Sequence, residues 1–80
     1  MTVLERAINK LYSIDSCESY EEVLSSIKDA ISLLELCLMS MSNGLASTEV
    51  AGIVDELSDF TEFTVISEII HELELINMEI

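Results

Sequence analysis

The stretch YEEVLSSIKDAISLLELCLMSM, residues 20–41, decides the fold. Tyr20, Val23/Leu24, Ile27, Ala30/Ile31, Leu34, Cys37/Leu38 and Met41 recur at steps of three and four, which is one face of an α-helix held over three heptads. Leu33, Leu36 and Met39 widen the stripe, so the second half is apolar most of the way round. Such a helix is expected to be buried on several sides. Ser19 and Glu22 make a capping box at its start. Asn43-Gly44 predicts its stop, because glycine adopts the left-handed conformation that closes many helices. The central helix therefore spans about 20–42.

On its N-terminal side, SIDSCES (residues 13–19) is rich in side chains that bond their own backbone and reads as a loop. Before it, Thr2 and Glu5 form another capping box, and Val3, Leu4, Ala7, Ile8 and Leu11 share one helical face. A first helix is expected over about 3–13. On the C-terminal side, Ser47 or Thr48 caps a third helix whose inward face is Val50, Ile53/Val54, Leu57 and Phe60. Gly52 falls in the middle of that helix, where glycine costs about 1 kcal/mol relative to alanine. Asp59 and Glu62 have capping-box spacing, so the helix is expected to break near Ser58. Residues 63–66 alone resemble a strand, but Phe63, Ile66, Ile69/Ile70, Leu73 and Ile76 keep helical spacing and no second strand exists to pair with them. The expected architecture is all-α: one domain over residues 1–80, a small antiparallel bundle of three to four helices at about 3–13, 20–42, 48–58 and 61–78.

Composition limits what such a bundle can do. Eighty residues bury only about 60% of the unfolded chain's surface, yet half of these residues are apolar. Some apolar surface is therefore expected to meet another chain, most simply as a homodimer, through Leu36, Met39, Ile76, Met78 and Ile80. Sixteen acids against three Lys and Arg leave a net charge of −13. That balance excludes direct nucleic-acid binding and disfavours anionic membrane surfaces. The apolar run through residues 30–41 is too short to span a bilayer and contains Glu35. Cys17 and Cys37 lie apart with no Cys-x-x-Cys, which fits reduced thiols in a cytoplasm.

Chemical motifs are absent. Glu68-x-x-His71 has the spacing of a di-iron carboxylate–histidine pair, but its residues flank the Ile69/Ile70 stripe rather than face inward. Position 75 is Leu where a zinc-protease motif needs its second His. No Gly-x-Ser-x-Gly, glycine-rich phosphate loop or calcium loop occurs. The reading is accordingly no enzyme, no cofactor and no metal.

The distribution of the acids remains. After Lys28 the chain has eleven acids and no Lys or Arg. Asp55, Asp59 and Glu62 are four and three apart, with Glu56 beside them, and Glu68, Glu72 and Glu79 lie on an outer stripe farther on, with Glu74 beside it. Like charges at i,i+4 weaken a helix by a few tenths of a kcal/mol (about 0.2–0.5) per pair. A surface that carries this repeated cost suits a basic partner, with Glu49, Asp55, Glu56, Asp59, Glu62, Glu68 and Glu72 as its binding residues. In overall type (short, very acidic, apolar-rich and helical) the chain resembles inhibitors encoded by bacteriophages and mobile elements, anti-CRISPR proteins and other DNA mimics among them. That resemblance implies a stoichiometric inhibitor of a basic, nucleic-acid-handling protein. An immunity protein or antitoxin against a basic toxin uses the same physics. A homodimeric adaptor whose charge serves solubility is the third expectation.

Overall fold

The computed structural model describes residues 2–42, 44–61 and 65–79. Four α-helices run through them: α1 (Val3–Tyr12), α2 (Tyr20–Ser40), α3 (Leu45–Ser58) and α4 (Ile66–Glu79). A single 3-10 turn, Ser13–Ser16, occupies most of the expected polar loop. No strand occurs among the described residues, and no helix there is long and apolar enough to cross a membrane.

The caps explain the boundaries. Thr2 Oγ1 accepts the Glu5 amide (3.1 Å) at the start of α1. Ser19 Oγ accepts the Glu22 amide (3.2 Å) at the start of α2. The Glu22 carboxylate reaches one residue farther back than a capping box requires and accepts the Glu18 amide (2.7 Å). Both devices satisfy amide donors that the first helical turn leaves without a carbonyl.

Three sequence expectations are corrected here. Gly44 is extended (φ 174°) and does not close α2, which ends at Ser40 with Met41 as its cap. Gly44 instead opens α3, three residues earlier than the expected start at 48. Its carbonyl accepts from the Thr48 amide and from both hydroxyls, Ser47 Oγ (2.9 Å) and Thr48 Oγ1 (3.0 Å), while its amide donates to Ser47 Oγ (3.0 Å). Ser47 and Thr48 thus support the cap from inside the first turn. Third, α4 begins at Ile66 rather than 61, although the expected break after α3 is present, with Asp59 as the C-cap residue. Asn43, Glu62, Phe63 and Ile80 lie outside the described residues.

Consecutive helices are neighbours in a ring. The first residues of α1 and the last of α2 line one cavity, and Lys10 Nζ lies 3.6 Å from Asp29 Oδ2 farther along, so these helices run antiparallel. The Tyr20 and Phe60 rings stack, with centroids 6.2 Å apart, and tie the start of α2 to the residue beyond α3's cap. The α2–α3 pair is therefore antiparallel too. Helix α4 packs on α1 and meets α3 through the slightest of the helix–helix contacts. Tyr12 Oη donates to Glu74 Oε1 (2.7 Å) across the α1–α4 boundary. That bond, burial and the adjacent carboxylate charge together raise the Tyr12 phenol above its ordinary pKa.

One core joins all four helices. Leu4, Ala7, Ile8 and Leu11 meet Ile27, Ala30, Leu34 and Cys37, with Val50, Ile53 and Leu57 from α3 and Ile69, Ile70, Leu73 and Ile76 from α4. Among the described residues nothing polar or charged is buried. Burial raises the pKa of the Cys37 thiol. Helix α2 is covered by both α1 and α3, with Val23, Ile31, Leu33 and Leu38 partly buried beside the Ile27–Ala30–Leu34–Cys37 face. Its remaining side stays open, where Leu36 is 55% exposed and Met39 84%. Tyr20, expected on the buried face, is half-exposed.

Leu34 has no exposed surface, so Leu34→Ala removes packing that the rigid ring cannot recover. Urea unfolding should show a loss of about 2–5 kcal/mol for Leu34→Ala. Met39→Ala should stay within about 0.5 kcal/mol of the parent. Equal losses would contradict this assignment of inner and outer faces.

Candidate functional site

Slight contact between α3 and α4 leaves a groove of about 330 Å³ between them. Glu49, Gly52, Ile53 and Glu56 line it from α3; Glu72, Leu75, Ile76 and Glu79 line it from α4. Each set is spaced i, i+3, i+4, i+7, the stripe that one side of a helix shows to a neighbour. The apolar members and Gly52 make the floor. The four glutamates are exposed and stand at the corners. Two turns of helix, about 10.5 Å, separate the carboxylates on each wall.

Gly52 leaves part of the floor without a side chain. A Cβ built at this residue meets nothing within 4 Å, so the space above it is open. Its φ is not positive, and no turn or strain calls for glycine there. What the missing side chain does is leave room.

No cation of this chain sits among the groove's lining residues. Arg6 and Lys10 belong to α1 and Lys28 to α2, and the ion pair between Lys10 and Asp29 joins those two helices at half-exposed positions. An exposed pair of this kind contributes at most about 1 kcal/mol.

The structure places the sequence-derived candidates as follows. Glu49 and Glu56 line one wall of the groove and Glu72 the other. Asp55 and Asp59 are exposed but outside it; Asp59 caps α3 rather than continuing a helical face. Glu68 is exposed one turn before Glu72 on the same stripe, beyond the groove's end. Glu62 and Ile80 lie outside the described residues. Leu36, Met39 and Met78 are exposed. Ile76, expected at a surface contact with Met78, is corrected: it is only 3% exposed, because the helical repeat turns it inward with Ile69 and Leu73. Glu79, which the sequence puts on the outer stripe with Glu68 and Glu72, is the groove's fourth carboxylate, while sequence reasoning did not find Gly52, Ile53 and Leu75 as its floor. The signal was present as EVAGIVDE at 49–56 and ELELINME at 72–79, which share Glu-x-x-(Gly/Leu)-Ile-x-x-Glu.

Glu68 and His71 are both exposed. Among the described residues no three His, Cys, Asp or Glu side chains are disposed to hold one metal ion. Cys17 is half-buried, with Sγ 3.6 Å from the Ser13 carbonyl oxygen and 3.8 Å from Ser26 Oγ. No protein-family model, curated protein or solved structure matches the chain.

Because the space at Gly52 is open, Gly52→Ala should add helix propensity without a clash. Urea unfolding should show a gain of about 1 kcal/mol. A loss of stability would mean that the floor at Gly52 is filled.

Proposed function

We propose that this protein is a non-enzymatic binding protein that blocks a basic, nucleic-acid-handling protein, in the manner of phage or mobile-element inhibitors that mimic DNA. The observation that carries this reading is the groove with four exposed carboxylates and no cation of its own. Carboxylates held on rigid helices present negative charge to a partner at fixed spacing, as phosphates do. Desolvation of an acid is offset only where a partner's Lys or Arg replaces the lost water, so a basic surface is selected over a neutral one. An immunity protein or antitoxin against a basic toxin satisfies the same physics; a toxin encoded by the adjacent gene would select that version.

A second reading rests on a different surface. Leu36, Met39 and Met78 leave apolar area in water at 55%, 84% and 81% exposure, which favours a homodimer or a helical adaptor. A solution mass of two chains supports it, and a single-chain mass removes the homodimer.

Co-purification from the native host tests the main proposal. A basic nuclease or nucleic-acid-binding protein should be retained at low salt, released at high salt and displaced by added DNA. Retention of no such protein at low salt, or retention that salt and DNA leave unchanged, contradicts it.

A further inference from the structure

Given the binding role proposed above, we infer that the occupant of the α3–α4 groove is a basic amphipathic α-helix of the partner. Its apolar residues would lie against Gly52 and the half-exposed Leu75, and its Lys or Arg residues would reach both glutamate rims.

Three features select a helix of that chemistry. First, each wall carries glutamates at i and i+7 with a buried Ile at i+4 and, at i+3, the open Gly52 or the half-exposed Leu75. Apolar seam positions flanked by charge are how one helix presents itself to another in coiled-coil packing. A third helix laid along the slot matches both walls at the same two-turn repeat. Second, no atom lies within 4 Å of a Cβ built at Gly52, so a partner's side chain can come close to the backbone there. A smooth acidic surface attracting cations at random needs no such opening. Third, the flanking charge has one sign on both walls. A second copy of this face would bring two sets of four carboxylates together, so the groove repels its own kind and admits a basic helix. Helix-in-groove recognition of this type takes its affinity from apolar anchors and its selectivity from the charged rim.

Three probes test the inference by fluorescence anisotropy with the full chain. One is a helical peptide carrying Lys-x-x-Leu-Leu-x-x-Lys. The second is a helical scramble of the same composition without a one-sided apolar face, and the third is spermine, used as competitor. The amphipathic peptide should bind about tenfold or more tightly than the scramble. Gly52→Met, which occupies that open space, should weaken it about tenfold while leaving the scramble unchanged. Leu75→Gln, at a half-exposed position, removes floor contact with little effect on folding and should act in the same direction even if Gly52→Met misfolds. Equal binding of both peptides, unaffected by either variant and displaced by spermine, overturns the helix-in-groove inference while leaving a purely electrostatic binding role standing. No binding of either peptide at low salt overturns both.

Discussion

The apolar seam between α1 and α2 is the interaction on which the rest of this structure depends. These two helices share the largest interface in the bundle. Each contributes a fully buried alanine, Ala7 and Ala30, among larger side chains such as Leu11 and Leu34. Small residues let helix axes approach closely, and the surrounding leucines fill the space to the density of a protein interior. Helix α3 then adds to α2 and α4 adds to α1, each along one face. In so small a chain, little of the core is duplicated elsewhere, and losing this seam removes the platform for both later helices.

Charge follows from that arrangement. Since the described core contains nothing polar, the described acids are all displaced to the surface. The three cations belong to α1 and α2, leaving α3 and α4 with glutamates and aspartate alone. These are also the two neighbouring helices that touch least. A partner carrying the opposite charge would neutralise the rim of the groove they leave between them.

Much of the fold was legible from local pattern. The stripes of α1 and α2, the Thr2 and Ser19 caps, and the break after Ser58 are all written in residues within one or two turns of one another. Gly44 misled because the same residue type serves a helix stop in the left-handed conformation and a helix start in the extended one; the sequence does not say which. Tyr20 was read as part of the buried stripe since it keeps helical spacing, but how many sides of α2 are covered depends on where three other helices go. The candidate site was half visible. Its acids stood out as a group, yet Asp55 and Asp59 looked equal to Glu49 and Glu72. Only the pairing of α3 with α4 separates the acids that converge from those that do not. The matching motifs at 49–56 and 72–79 carried that information in principle, and they gain meaning once the two stripes are known to face each other.

The central claim is that binding depends on where the carboxylates stand rather than on how many there are. Two charge-matched variants decide it: Glu49, Glu56, Glu72 and Glu79 all changed to Gln, and Asp15, Glu18, Glu21 and Asp29 changed to their amides. Each loses four acids, and calorimetric titration against one purified basic partner compares them at the same ionic strength. The groove variant should lose about a hundredfold or more in affinity while the other loses little, since only close, oriented charge pairs contribute strongly. Equal losses in the two variants would show that the groove has no special role and that net charge alone attracts the partner.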